Sequence, residues 1–340
     1  MAGFRSGLSR PGTAGRIAVT VAALGSMSSA TVDVLLAVYN GEPFLRPFLD
    51  SLVAQSFRDF RLVVSDNRSS DATASIIEEY RPRLTHSILV LPQPRAFASA
   101  HANFARVTEA GEAPYAMFAD ADDIWHPNKI EKTITTMRKG EQKYGTHSPI
   151  LVHSDLTVVD DKLRCLNRSF WRYQFIDPKR TALNQLLLQN CVTGCTVMLN
   201  RSLLELGRPI PSEACAHDHW YALVACAFGN ILAVPESLIE YRQHAGNVTG
   251  AKRWGARYVI DRASRLYAAE GARETIGANI AQARIFLSRF QGRLPVEQKQ
   301  IIANFAAIRE RRALSRRWAL VRNAFWKRGF LRNLGLLLAI

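Results

Sequence analysis

The sequence predicts an α/β fold with a mostly parallel central sheet flanked by helices, and two observations support this. The runs 32–39 and 60–65 are β-favouring and continuously apolar, which is typical of strands buried on both faces. Each run ends in a polar turn and leads into an amphipathic helical stretch, the second beginning near Asp71. Because crossovers between successive strands are right-handed, this alternation predicts parallel pairing. The rhythm continues to a strand that ends at Asp120.

The later elements are predicted from the same patterns. A strand is expected at 150–159, an aromatic and basic loop at 168–180, a helix at 181–189, a helix that opens at His217, and two short strands at 231–234 and 237–241. Beyond Trp254 the pattern is helical throughout. We therefore expect three regions, namely a disordered leader at 1–29, an α/β domain at 30–250 and a basic helical C-terminal extension at 251–340.

Composition restricts the class of protein. The chain has 340 residues, of which 48% are hydrophobic, so it can bury a substantial core. No segment reaches the roughly 18 uncharged apolar residues of a transmembrane helix. Five cysteines without paired metal-ligand spacing are expected to be reduced thiols, which favours a cytoplasmic protein. They are Cys165, Cys191, Cys195, Cys215 and Cys226.

The net charge of +15 is concentrated at one end of the chain. Residues 252–340 hold 19 Lys/Arg against 5 Asp/Glu, which leaves a balance of only +1 for the remainder. Between Arg309 and Arg332 the basic residues are interleaved with aromatic ones, and no nucleic-acid module accompanies them. We therefore expect an anionic membrane surface, and not nucleic acid, as the partner of this region. A solvated helical bundle with a charged outer face is the alternative.

Polar residues that follow the predicted strands give the candidate site. In open α/β sheets, ligands bind beyond the carboxyl ends of the strands, where Asn40, Asp66 and the turn 120–123 fall. The turn holds three carboxylates, and clustered hard oxygen donors suit Mg²⁺ or Mn²⁺. On its own, an Asp-x-Asp sequence would be an ordinary acidic turn. The presence of Asn40 and Asp66 at the other strand ends favours a ligand-binding site instead.

Five motifs, taken together and in order, resemble glycosyltransferase family 2. They lie at 35–41, 64–71, 120–125, 217–220 and 241–248, and the last is similar to the bacterial rhamnosyltransferase-like branch. The resemblance covers about residues 31–250. It implies the GT-A fold and transfer of a sugar, with inversion, from a nucleotide diphosphate donor. The Gln-x-x-Arg-Trp signature of processive synthases is absent from the sequence, which favours transfer of a single sugar.

The resemblance also implies roles for residues at the ends of the first strands. The nucleotide site would be lined by Ala37, Tyr39, Asn40 and Glu42. Asp66 would take the pyrimidine edge, since a carboxylate can accept a hydrogen bond from the N3–H of uracil or thymine. The expected donor is therefore linked to dTDP or UDP.

The acidic turn and a later helix would supply the metal site and the base. By resemblance, Asp120 contacts the ribose or the metal, and Asp122 is the main metal ligand. Asp218 matches the family's catalytic acid position and would be the general base, which a helix start should keep ionised. His244 is expected to reach the metal or diphosphate and Arg242 to help hold the phosphates, with strand-end packing as the alternative for His244.

Two histidines flank Asp218 in the sequence. His217 and His219 are expected to be a surface pair.

The expected activity is metal-dependent transfer of one sugar, with L-rhamnose as the candidate, to a saccharide or polyprenyl-linked acceptor in O-antigen or related cell-surface polysaccharide biosynthesis. The protein would lie peripherally on the inner face of the plasma membrane. Alternatives are a sugar-nucleotide nucleotidyltransferase, against which the missing Gly-rich basic loop argues, and an inactive membrane-bound scaffold.

Overall fold

The computed structural model describes residues 30–86, 88–244 and 267–340. Strands of the described chain form one sheet. They are β1 (Val32–Val38), β2 (Phe60–Asp66), β3 (Leu89–Val90), β4 (Tyr115–Ala119), β5 (Ile124–Trp125), β6 (Ile150–Val159), β7 (Cys165–Asn167), β8 (Met198–Asn200) and β9 (Asn230–Arg242). Their order across the sheet is β3-β2-β1-β4-β8-β6-β9-β5, and β7 pairs with β6.

Helices cover both faces of this sheet and make up most of the described C-terminal region. They are α1 (Glu42–Val53), α2 (Thr73–Tyr80), α3 (Ala100–Glu109), α4 (Lys129–Tyr144), α5 (Phe170–Tyr173), α6 (Leu183–Leu186), α7 (Arg201–Gly207), α8 (His217–Phe228), α9 (Tyr267–Phe290), α10 (Val296–Ala306), α11 (Ala313–Arg322) and α12 (Phe330–Ala339). The predicted α/β class and the alternation of strands and helices up to β4 are confirmed.

The sheet has a parallel half and a mixed half. β1 pairs in parallel with β2 and β4, and β2 pairs in parallel with β3. β8 is antiparallel to both β4 and β6, while β9 is parallel to β6 and antiparallel to β5. Since β7 is also antiparallel to β6, the described chain has four parallel and four antiparallel pairings, whereas a mostly parallel sheet was predicted. The reason is that β8 enters between β4 and β6 in the opposite sense.

Some element bounds differ from the prediction. The two short strands expected at 231–234 and 237–241 are one strand, β9, whose register against β6 shifts near Asp155. The helix expected at 181–189 is reduced to the four residues of α6. The loop at 168–180 contains α5, in which Trp171 is buried. The backbone N–H of Trp171 donates a hydrogen bond to the Asp155 carboxylate (3.1 Å). That carboxylate therefore fixes the start of the aromatic loop.

The C-terminal helices share a core with the α/β part. On α8, the ring of Trp220 lies 5.5 Å from that of Phe286 and 6.0 Å from that of Phe290, both on α9. The Arg332 guanidinium donates to the carbonyls of Phe175 and Gln174 in the aromatic loop. The predicted helical character holds for 267–340. The predicted leader and the boundary near residue 250 lie outside the described residues.

None of the described helices is both long enough and apolar enough to cross a membrane. The five cysteines are free thiols, as predicted.

Candidate active site

Loops that follow β1 and β2 are held together by their own polar groups. The backbone N–H of Asn40 donates to the Ser69 hydroxyl (2.8 Å), and that of Ser70 donates to the Asn40 side-chain oxygen (2.9 Å). The Glu42 N–H donates to the Asp71 carboxylate (3.0 Å). Asn40 has a φ of 48°, a left-handed conformation that asparagine tolerates well. The two loops thus form one rim at the carboxyl ends of β1 and β2.

Asp66 and Tyr39 face the same rim. Oδ1 of Asp66 accepts hydrogen bonds from the backbone N–H of Ser69 (3.0 Å) and from its hydroxyl (2.6 Å). This fixes the carboxyl plane, so a ligand would meet the second oxygen, Oδ2. Tyr39 is 62% exposed, which offers an aromatic face at the end of β1. Ala37 lies on β1 beside Ser65 of β2 and adds no bulk at this point.

The acidic turn between β4 and β5 holds the buried carboxyl of Asp123 and the half-buried carboxyls of Asp120 and Asp122. Burial raises the pKa of Asp120 to about 7, with the charges of Asp122 and Asp218 adding to the effect. Burial and the charges of Asp122 and Asp120 raise the pKa of Asp123 well above its ordinary value, and hydrogen bonds from the Cys195 thiol and the Arg242 backbone offset this only in part. Potential ligand atoms of Asp120, Asp123 and Cys195 lie within 4.8 Å of one another. The turn therefore concentrates negative charge in a space with little water.

Residues at the end of β9 close over this turn. Nε2 of His244 lies 2.9 Å from Oδ2 of Asp122, and the imidazole stacks on Phe44 with ring centroids 4.3 Å apart. Arg242 is buried and donates through Nε to the Asp122 carbonyl (3.1 Å) and through a terminal nitrogen to the Asp161 carbonyl (3.1 Å). The His244 side chain thus reaches the acidic turn. The contacts of Arg242 hold the main chain of the turn in place.

This donor set fits a divalent cation. Burial and neighbouring negative charge raise the pKa of both Asp123 and Asp120, so a positive charge here would stabilise both carboxylates. Carboxylate oxygens are the ligands that Mg²⁺ and Mn²⁺ prefer. Asp122 and His244 together offer an oxygen and a nitrogen donor at the edge of the turn.

Asp218 lies in the first turn of α8. Burial raises its pKa to about 6, and this effect is partly offset by hydrogen bonds from the backbone of His219 (2.7 Å) and Gly194 and from the Asn190 side chain. Burial outweighs those bonds, but a pKa of about 6 still leaves the carboxyl ionised at neutral pH, so the expectation that it keeps its charge is not contradicted. Since the Asp218 charge also raises the pKa of Asp120, the two carboxyls are electrostatic neighbours.

His219 is buried and His217 is half-buried, so the prediction of a surface pair is wrong. The His217 ring stacks on Phe104 with centroids 3.9 Å apart, and burial lowers its pKa to about 3. Nε2 of His219 lies 2.6 Å from the Leu186 carbonyl oxygen. The cause is that α8 is buried from His219 to Ala225, so its first turn lies against the core and is only partly exposed.

Sequence reasoning did not assign Lys129, Cys195 or Gly194 to this region. Lys129 is fully buried, with its ammonium 3.5 Å from the Trp125 ring centroid and its pKa lowered by burial to about 7. Its position four residues before buried Thr133 was a usable signal, since it falls on the inner stripe of α4. A Cβ added at Gly194 would lie 2.7 Å from Nε2 of His217, so only glycine allows this close approach.

Comparison with solved structures shows what the fold is. The structure of S. aureus TarS, residues 1–349 in complex with UDP-GlcNAc, matches with a TM-score of 0.54 at 15% identity, over 91% of this chain and 79% of that one. The protein therefore has the GT-A fold of nucleotide-sugar glycosyltransferases. The model of glycosyl transferase family 2 matches residues 33–207. The chain belongs to this family, and it is a glycosyltransferase.

Curated relatives have related activities in their names. The dTDP-rhamnosyl transferase RfbG of Shigella flexneri is 26% identical over 231 residues, which cover 64% of this chain and 74% of RfbG. The UDP-Glc:alpha-D-GlcNAc-diphosphoundecaprenol beta-1,3-glucosyltransferase WfgD of Escherichia coli is 27% identical over 179 residues, covering 52% of this chain and 63% of WfgD. Other matched relatives are covered over 60% to 83% of their own length.

Proposed function

We propose that the protein transfers one sugar, with inversion, from a dTDP- or UDP-linked donor to a saccharide or polyprenyl-linked acceptor in cell-surface polysaccharide biosynthesis. The observation that supports this best is the pairing of two carboxyl groups with different surroundings. The acidic turn concentrates charge where a cation fits, while Asp218 stands on a separate helix close enough to influence Asp120 electrostatically. The acidic turn would hold the cation that stabilises the leaving diphosphate, and Asp218 would accept the proton of the attacking hydroxyl.

The donor nucleotide is proposed to bind along the rim beyond β1 and β2. Oδ2 of Asp66 would accept the N3–H of uracil or thymine, a donor that cytosine lacks. Tyr39 offers its exposed ring, and Asn40 and Glu42 hold the rim in shape through their bonds to the neighbouring loop. L-Rhamnose is the proposed sugar because RfbG is named as a dTDP-rhamnosyl transferase.

The diphosphate is proposed to lie against the acidic turn. Asp120 and Asp122, with His244, would hold Mg²⁺ or Mn²⁺, which when bound would supply positive charge to the departing diphosphate. Arg242 keeps the main chain of the turn in position through its bond to the Asp122 carbonyl. A direct phosphate contact by Arg242, which the resemblance also implies, is the weaker proposal, since the residue is buried and donates to two main-chain carbonyls.

Asp218 is proposed as the general base. It would accept the proton of the acceptor hydroxyl while that oxygen forms its bond to the anomeric carbon and the bond from this carbon to the diphosphate oxygen breaks on the opposite face. A pKa of about 6 leaves the carboxylate ionised at neutral pH and yet makes it a better proton acceptor than an ordinary aspartate. Asn190 and Gly194 orient it through their hydrogen bonds.

A lipid-linked acceptor would require the protein to work at a membrane. WfgD is named for an acceptor on diphosphoundecaprenol, and the basic C-terminal helices of this chain suit an anionic leaflet. We therefore place the protein peripherally on the cytoplasmic face of the plasma membrane.

A binding screen tests this function. Calorimetric titration of the protein with UDP-, dTDP- and GDP-linked sugars, each with and without Mn²⁺, should show pyrimidine donors binding and Mn²⁺ tightening them by at least about tenfold. The Asp122→Asn variant should lose that increment while retaining the weaker metal-free binding. Equal affinity for the GDP sugar would contradict the role of Asp66, and an Mn²⁺ effect unchanged in the variant would contradict that of Asp122. Pyrophosphate release from a nucleoside triphosphate would contradict the reaction class.

A further inference from the structure

Two C-terminal helices expose an unusual amount of apolar surface. Half of the large hydrophobic side chains exposed in the described part of the chain lie on α11 and α12. They are Leu314, Trp318, Val321, Phe330, Leu331 and Leu334. Contiguous exposed apolar groups of this kind mark interaction sites, whereas single exposed residues need no explanation.

On each helix these side chains fall on one face. Leu314, Trp318 and Val321 are spaced i, i+4 and i+7, which forms a single stripe along α11. Leu320, on the other side of this helix, is fully buried in the core, so α11 is apolar on both its inner and its outer face. An exposed apolar stripe does not contribute to the core, so we expect a partner to cover it.

Arginines connect the two helices. Arg316 donates to the main-chain oxygen of Ile340 (2.9 Å), and Arg317 donates to the Leu337 carbonyl (3.1 Å). Both acceptors are at the C-terminal end of α12, where unpaired carbonyls and the helix dipole favour a cation. Two arginine side chains of α11 therefore bind the C-terminal end of α12, and we call the exposed apolar residues of the two helices the α11–α12 surface.

The charge of this segment indicates the chemistry of the partner. Residues 309–332 contain nine Lys/Arg and a single acid, Glu310. Arg312 and Arg322 are exposed at the two ends of α11, and the Arg322 guanidinium lies 4.9 Å from the centroid of the Trp318 ring. Cationic groups that flank an aromatic and aliphatic stripe suit the headgroup region of an anionic bilayer.

A polar cleft adjoins the stripe. It has a volume of about 470 Å³ and lies between α10 and α11, with Trp318 as the residue it shares with the stripe. The Asn304 side chain, which bonds to Asn323 (2.9 Å) and to Arg311 (3.1 Å), lies at its centre. Guanidinium and amide N–H groups are suitable donors to a phosphate ester. The lining residues are Gln300, Asn304, Arg311, Trp318, Ala319, Arg322 and Asn323.

We propose that the α11–α12 surface docks onto an anionic phospholipid bilayer, with its apolar stripes in the interface and a lipid phosphate in the cleft. Charge complementarity and the shared position of Trp318 in stripe and cleft favour this partner over a soluble polyanion, which would not need the apolar groups. The inference rests on the proposed function for its purpose, a membrane-borne acceptor, and its test does not depend on that activity.

Vesicle sedimentation of the full chain tests the surface. The protein should pellet with vesicles of phosphatidylcholine mixed with phosphatidylglycerol and should stay in solution with phosphatidylcholine alone. Arg312→Gln combined with Arg322→Gln should weaken partition about twenty-five-fold, about fivefold for each charge. Leu314→Ser combined with Val321→Ser should weaken it at least about tenfold.

Matched controls come from other exposed positions. Val296→Ser removes a valine on α10 that is as exposed as Leu314, and Lys139→Gln with Lys143→Gln removes two exposed charges from α4. Both controls should pellet like the wild type. Glycerol phosphate in solution should compete only weakly, which separates a bilayer from a free phosphate ester.

Several outcomes would overturn the proposal. They are binding to phosphatidylcholine alone, equal loss in the controls, or loss in the arginine variant with none in the apolar one, which would indicate a soluble polyanion. Titration of all variants with the donor sugar separates this proposal from the catalytic one. Unchanged donor binding with lost sedimentation supports the docking surface, and intact sedimentation with no donor binding would reject only the proposed reaction.

Discussion

The rim beyond β1 and β2 and the acidic turn beyond β4 differ in how their polar atoms are satisfied. On the rim, Asn40, Ser69 and Asp66 bond to one another, so the loops hold their shape without a ligand. Beside the turn, the buried Lys129 ammonium has no hydrogen-bond partner among the described residues, and in the turn burial and two neighbouring carboxylates raise the pKa of Asp123. Such groups cost free energy until charge or ligand compensates them. The rim is therefore preorganised, whereas the proposed cation would complete the turn.

Asp218→Asn should have the largest effect, because it removes the proposed base and leaves the rim untouched. Turnover should fall about a thousandfold while the dissociation constant of the donor stays the same. Single-turnover kinetics and calorimetry on the same preparation measure the two quantities. Comparable turnover by the variant would reject Asp218 as the base.

The wild-type pH profile provides a second check on that prediction. Because the pKa of Asp218 is raised to about 6, the carboxyl binds a proton below that pH and can no longer accept one. Turnover should therefore fall about tenfold for each pH unit below about 6, and this limb should be absent from the residual activity of Asp218→Asn.

Gly194→Ala tests whether the orientation of Asp218 matters independently of its charge. The new Cβ would lie 2.7 Å from Nε2 of His217, so the loop must shift away from the start of α8. Turnover should fall roughly tenfold to a hundredfold with little change in donor affinity. Gly292→Ala is the control, since no atom lies within 4 Å of its added Cβ. Equal behaviour of the two variants would mean that this contact does not position the base.

Ser69→Ala changes the rim and not the acidic turn, and it should have the smallest effect. It removes the hydroxyl that bonds to both the Asn40 N–H and Oδ1 of Asp66. Donor affinity should weaken about fivefold, equivalent to one net hydrogen bond, while turnover at saturating donor is retained. A drop in turnover without weaker binding would show that the rim also shapes the catalytic side.

The parallel half of the fold could be predicted because its strands are long and apolar. β1 and β2 read as uninterrupted buried runs, and the stripe on α1 that buries Phe48 follows helical spacing. The other half could not, since β8 has three residues and derives its antiparallel place from its two neighbours. A strand that short has no periodicity from which to infer a direction.

The candidate site shows the same limit. Polar residues at strand ends, such as Asp66 and Asp122, could be found because the topology of parallel strands brings such ends together. His244 lies beside Asp122, and its contact with a metal or diphosphate stays a prediction. The burial of Asp218 and the presence of Cys195 beside Asp123 depend on segments distant in sequence. Local pattern contains no information about those contacts.

The path of β9 sets the smallest piece of this chain that is worth expressing. This strand lies between β6 and β5 in the sheet and ends at Arg242, which bonds to the Asp122 carbonyl. The family match ends at residue 207, before α8 and β9 begin. A fragment trimmed to that match would lose Asp218 and leave β5 without its partner strand, so a truncation series should keep residues through at least His244.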